Sequence, residues 1–257
     1  ISNPSIQGSH TMKIGILEAG LLREEMASRF DPYPDMFADF LGLAPGGFDF
    51  ETVSSIRGEL PASTDACDGW LITGSRHGVY DELDWMGPLQ EFIRRLAADE
   101  VPLIGVCFGH QIIAAALGGK VVKSDKGWGV GLHNYRVDRQ HAWMAGDERE
   151  VGIYAFHQDQ VVELPDGAEV FLSSDFCPYA GLSYGRSIIS VQAHPEFESA
   201  YETALLEAYG GSVVPLDVAA AALAGMQRGR QADRATLANW FTSFMLSQQG
   251  LAAAVSG

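Results

Sequence analysis

The chain has 257 residues and a mass of 27.7 kDa; 47% of the residues are hydrophobic and only 19% are charged. Disorder is excluded, since it needs low hydrophobicity and high charge density, and the length suffices for one large domain with a buried core. With 33 acidic against 17 basic residues, the net charge of −16 argues against nucleic acid or anionic membrane as a partner, because phosphate binding needs clustered lysine and arginine.

The longest apolar stretches are broken by His110 and Gln111 and by Asp217, too early to span a bilayer. Three cysteines, Cys67, Cys107 and Cys177, are odd in number and far apart. They make no disulfide framework, and reducing cytoplasm is the expected compartment. Residues 1–11 (ISNPSIQGSHT) lack the basic and apolar regions of a signal peptide. They read as a vector-derived remnant, with native sequence expected from Met12.

From there strand and helix alternate. Residues 13–17, 48–53 and 70–73 are short apolar runs suited to buried strands. Residues 84–99 carry Leu89, Phe92, Ile93 and Leu96 on one helical face. A strand is predicted at 101–106 and a helix at 111–117, closed by Gly118-Gly119. Short strands then cluster at 121–122, 132–137, 151–156, 160–164 and 169–172, a β-rich section attached to the sheet. A buried strand returns at 188–192, followed by helices at 198–209 and 233–247. In the second helix Leu237, Trp240, Phe241, Phe244 and Met245 share a face suited to packing on the domain. The pattern predicts an α/β fold, doubly wound around a mostly parallel sheet, with a small β section and C-terminal helices.

The chemistry concentrates in residues 102–111, PLIGVCFGHQ. A buried strand runs into Gly105-Val106-Cys107-Phe108-Gly109 and then a helix, the pattern of a nucleophile elbow with cysteine in the serine position. Small flanking residues permit the sharp turn, and the helix N-terminus favours a thiolate. Taken alone, the segment also fits a buried core cysteine. His194 directly follows another predicted strand, with Glu196 two residues on. Parallel strands end at one sheet edge, so Cys107 and His194 can meet there although 87 positions apart. Glu196 can then accept from one imidazole nitrogen and leave the other to face the sulfur.

GVCFGHQ at 105–111, HPE at 194–196 and ITGS at 72–75 together resemble the class I (triad-type) glutamine amidotransferases, over roughly residues 12–197. The chain is similar to stand-alone members, the GMP-synthase-glutaminase-like and γ-glutamyl-peptidase-like proteins, through residues 81–85, CFGHQ and Gly118-Gly119-Lys120. The resemblance implies a flavodoxin-like domain over residues 12–200; the helical pattern beyond it reads as an extension, residues 201–257, packed on that domain. The resemblance also implies Cys107 as nucleophile, His194 as general base and acid, and Glu196 as its orienter. Backbone N–H groups of Phe108 and Gly74 would form the oxyanion hole. Gln111, Phe156, His157 and Gln158 match the family's glutamine-binding positions. Gly74-Ser75 departs from the two glycines and a proline found in many members.

The implied reaction is attack of the Cys107 sulfur on the γ-carboxamide of glutamine, release of ammonia, and hydrolysis of a γ-glutamyl thioester. It needs no metal or organic cofactor. No phosphate-binding glycine loop is present to consume the ammonia. Either the ammonia goes to a separate synthetase subunit, or the protein is a stand-alone γ-glutamyl peptidase or hydrolase, with residues 80–85 and the turn at Trp128 lining the leaving-group side.

Two further readings compete: a non-catalytic regulatory subunit, or a redox-sensing elbow cysteine contacted by Glu18 at the end of the first strand. Among the other histidines, His110 reads as a packed helix residue and His77, beside Arg76, as a candidate pocket residue; none has metal-ligand spacing. Residues 127–131, GWGVG, read as a turn near the pocket.

Overall fold

Alternating β and α segments bury one another in the computed structural model, which describes residues 11–227 and 229–255. The expectation for residues 1–11 therefore falls, Thr11 aside, outside the described residues. In chain order the elements are β1 (Met12–Leu17), α1 (Glu24–Ala27), α2 (Tyr33–Leu41), β2 (Phe48–Val53), β3 (Gly69–Ile72), α3 (Met86–Ala98), β4 (Leu103–Val106) and α4 (Phe108–Ala116). There follow β5 (Lys120–Lys123), β6 (Gly129–Val137), β7 (Glu150–His157), β8 (Asp159–Glu163), β9 (Ala168–Ser173), β10 (Gly181–Tyr184) and β11 (Ile188–Val191). The chain then closes with α5 (Ser199–Tyr209), α6 (Leu216–Met226) and α7 (Arg234–Val255).

Among the described residues, nine strands form one sheet in the order β2-β1-β3-β4-β11-β10-β9-β6-β7. The pairings make seven of them run one way, with β6 and β10 reversed. The fold is thus the expected flavodoxin-like α/β architecture with a mostly parallel sheet. The β-rich middle differs in one respect from the expected appendage. Four of its strands extend the main sheet, and only β5 and β8 pair apart.

Successive side chains of a strand point to opposite faces, and this alternation divides the core. Ile14, Ile16, Leu71, Ile104 and Val106 face one cluster with α2 and α7; Trp70, Ile72 and Leu103 face another with α3 and α4. The stripe on α3 is fully buried, with Phe92 edge-on to Trp70 at 5.3 Å. The apolar face of α7 is buried too, Phe241 meeting Phe40 of α2 at 5.6 Å.

Register levels the strand ends. Leu17 pairs with Ile72, Ile72 with Gly105, and Val106 with Val191. Loops leaving β1, β3, β4 and β11 therefore emerge side by side at the edge where open α/β sheets bind ligands. Among the described residues no helix is long and apolar enough to cross a membrane.

Candidate active site

Cys107 sits between the last residue of β4 and the first of α4, at φ 54° and ψ −101°. A positive φ is costly for any residue with a Cβ, on the order of 1–3 kcal/mol, so the surroundings must impose it. Its N–H donates to Val191 O at 2.9 Å, and its carbonyl accepts from Gln111 N at 3.1 Å. The glycines of the motif make the turn physically possible. A Cβ on Gly109 would lie 2.4 Å from Ile72 O, and one on Gly105 would lie 2.6 Å from Gly109 O.

Because Val106 pairs with Val191, His194 emerges next to Cys107. Its N–H donates to Tyr154 O at 2.7 Å, its Nδ1 lies 2.7 Å from Glu196 Oε1, and the Cys107 sulfur is near enough to raise its pKa. Phe197 stacks on the ring at 4.0 Å between centroids. All three polar residues are buried. Burial alone lowers the His194 pKa, but the Glu196 carboxylate and then the Cys107 sulfur outweigh it and hold the imidazole well above its ordinary value. The arrangement suits nucleophilic attack by sulfur with proton transfer through an oriented imidazole.

Gly74, at the end of β3, closes the other side. A Cβ there would lie 2.9 Å from His194 Cε1 and 3.7 Å from Cys107 Cβ, so only glycine lets the three approach. Among the described residues the Gly74 N–H donates to no backbone carbonyl.

A cavity of about 340 Å³ opens over the sulfur. Gln111, Phe156, His157 and Gln158 all line it. Gln111 Nε2 donates to Asp159 O and Gln192 Oε1, and His157 Nδ1 lies 3.1 Å from Asp159 O. Burial pushes His157 down to about 3, so its ring is neutral. His77 and Trp128 line the cavity as well. Of residues 80–85 only Tyr80 and Asp81 do; Trp85 is buried instead against Phe108 at 5.4 Å. The turn expected at residues 127–131 lies just ahead of them, closed by Gly127 N donating to Ser124 O at 3.3 Å, and β6 begins at Gly129.

Glu18 accepts from Ser54 Oγ at 2.7 Å and does not line the cavity over the sulfur, so nothing in its surroundings supports the redox-sensing reading. His110 is packed as expected, with Nδ1 2.8 Å from Ser190 Oγ.

Sequence reasoning missed the aromatic wall. Tyr201, Leu205 and Tyr209 on α5 line the cavity together with Tyr33 and Phe197. Their spacing of four along one helix was the available signal. It missed Glu202 too, a buried carboxyl whose Oε1 accepts from Gly131 N at 2.7 Å.

Residues 51–209, more than half of the chain, match the family model of class-I glutamine amidotransferases. "Gamma-glutamyl peptidase 3" of Arabidopsis thaliana is 33% identical over 150 residues, 55% of this chain and 60% of that protein. The chain thus matches about three fifths of that relative's length. One subunit of "GMP synthase [glutamine-hydrolyzing]" from Archaeoglobus fulgidus is 32% identical over 130 residues, 50% of this chain and 66% of that one. A glutamine amidotransferase structure from Thermotoga maritima superposes with a TM-score of 0.71 at 17% identity, covering 93% of this chain and 98% of that chain, a likeness of fold. The chain belongs to the class I glutamine amidotransferases.

Proposed function

We propose that the protein hydrolyses γ-glutamyl amide bonds through a thioester on Cys107, in the manner of a stand-alone γ-glutamyl peptidase. The observation that carries the reading is the Cys107 elbow, with His194 and Glu196 beside it, on the floor of a cavity open to solvent. The sulfur attacks the γ-carbonyl carbon, and the Phe108 and Gly74 N–H groups donate to the developing oxyanion. The C–N bond breaks as His194 gives its proton to the leaving nitrogen. Water, deprotonated by the same imidazole, then splits the thioester and frees glutamate. Glu196 keeps the ring oriented throughout. Gln111 and the segment from Phe156 to Gln158 hold the glutamyl end.

A second reading has support in the archaeal relative, whose name places it as a glutamine-hydrolysing subunit of a synthetase. On that reading glutamine is the substrate and ammonia passes to a separate subunit. Release of glutamate from glutamine and from a γ-glutamyl dipeptide by the purified chain tests both. A dipeptide preference of about tenfold in kcat/KM, equivalent to about 1.4 kcal/mol, supports the peptidase, and the reverse supports the ammonia-supplying subunit. Turnover that survives Cys107→Ala would sink the thioester.

A further inference from the structure

Two exposed arginines line this cavity. Arg23 and Arg76 line it, and both also line an adjoining cavity of about 390 Å³. Acidic residues outnumber basic ones almost two to one, and eight lysines and arginines among the described residues are ion-paired. Arg23 and Arg76 are in no such pair among the described residues. The Arg23 guanidinium lies 4.6 Å over the Tyr209 ring, a contact that seats its flat face and leaves its N–H edge open. Two carboxylates that line the catalytic cavity have partners of their own. Asp81 is 3.7 Å from His77, and Asp159 accepts from Tyr80. Glu24 and Glu25 line the adjoining cavity beside the arginines and not the catalytic one; Glu25 accepts from the Tyr209 hydroxyl and feels the Arg23 charge with no ion pair to it among the described residues.

The imidazole fixes on which side of the sulfur a leaving group must sit, because it protonates the departing nitrogen. Phe197 stacks on that imidazole, Tyr201 packs on Phe197 at 4.6 Å, and α5 carries the wall onward to Tyr209 and Arg23. Gln111, assigned above to the glutamyl end, donates to Asp159 O.

We propose that Arg23 and Arg76 form a subsite for a carboxylate carried by the leaving amine. The favoured substrates are then γ-glutamyl amino acids and short γ-glutamyl peptides with a free C-terminal carboxylate. This rests on the γ-glutamyl hydrolase reading above and specifies its substrate. As the S–C bond forms and the C–N bond breaks, the leaving nitrogen takes the His194 proton and the amine departs with its carboxylate at the two guanidiniums. Planar paired N–H donors suit a carboxylate better than a point charge does.

The test compares kcat/KM for γ-glutamylalanine and for its C-terminal amide. Wild-type protein is expected to favour the free carboxylate by about tenfold, with the ratio falling toward one in the Arg23→Gln/Arg76→Gln variant and as salt is raised. Both side chains are exposed, so the variant is expected to fold; the single variants supply the same ratio if it does not. Equal cleavage of both peptides by wild type, the result if the arginines serve an acidic partner surface instead, overturns the subsite and leaves the hydrolase reading standing. So does a preference that the arginine variants leave intact. Failure to cleave γ-glutamyl peptides or glutamine at all overturns the hydrolase reading, and this inference with it.

Discussion

The His194 imidazole is clamped from two directions, with Glu196 Oε1 2.7 Å from Nδ1 and the Phe197 ring lying parallel to it within 7°. One contact supplies charge and the other fixes the plane. The carboxylate is the first of the groups that raise the imidazole's pKa against the effect of burial.

Glu196→Gln separates these roles. It leaves the shape but removes the charge, so the His194 pKa falls. A reaction that needs the imidazolium to protonate the leaving nitrogen then loses rate at lower pH than before. The alkaline limb of kcat, expected above the ordinary imidazole range in the wild type because the Glu196 charge raises His194, is expected to move downward. The maximal kcat drops by about 100-fold or more. A pH–rate profile of the variant superimposing on that of the wild type would remove Glu196 from the mechanism.

Gly74→Ala tests the close approach at the end of β3. The new Cβ would meet His194 Cε1 at 2.9 Å, and the ring has Phe197 stacked on it. Displacement of a reacting group by even 1 Å can cost about 100-fold in rate. The expected outcome is a folded protein with kcat reduced by that order. Gly109→Ala pushes on backbone instead, at 2.4 Å from Ile72 O, and is expected to lower stability by about 1–3 kcal/mol. Thermal unfolding of the two variants distinguishes the effects.

Much of this was legible in the sequence because it rests on strand ends. GVCFGHQ and HPE each directly follow an apolar run, and parallel pairing of Val106 with Val191 brings the runs together. What was not legible depends on packing across elements. In α2, Pro34 occupies the first turn and Phe37, Phe40 and Leu41 are buried, yet no helix is expected from the sequence between residues 17 and 48. Helix α6 is nearly all small apolar residues and shows no stripe, with only Ala219 buried. Strand β10 has four residues and no alternation, since every one is buried. The arginines of the cavity mouth belong to no motif at all; only the fold brings the loops after β1 and β3 together.

Covalent labelling follows from the contrast among the three thiols. Burial raises the pKa of Cys67 and pushes Cys177 up to about 12, which suppresses the nucleophilic thiolate at each. Cys107 instead sits at the N-terminus of α4 with the His194 imidazole beside it. A glutamine-like electrophile is expected to modify Cys107 in the folded protein and spare the other two, as read by peptide mass mapping. Comparable labelling of all three would remove the case for an activated sulfur.

The last expectation concerns Glu202, which lies fully buried behind the site. Burial raises its pKa to about 8, the hydrogen bond from Gly131 N opposing only in part. In the unfolded chain a glutamate titrates near 4.3. Between these values the folded state binds the proton and the unfolded state does not, so stability declines as pH rises from about 4.3 toward 8. Glu202→Gln keeps an oxygen for the Gly131 N–H and cannot ionise. The variant is expected to lose that slope and, at pH 8, to unfold roughly 2–4 °C higher, as a gain of about 1 kcal/mol implies for a chain of this size. Gly131 sits at φ 80° in the strand next to Trp128, which lines the cavity, so Glu202→Ala, which also abandons that N–H, is expected to lower both stability and kcat/KM. Unfolding midpoints of wild type and Glu202→Gln that stay parallel from pH 5 to 8 would show that the carboxyl is already ionised in the fold.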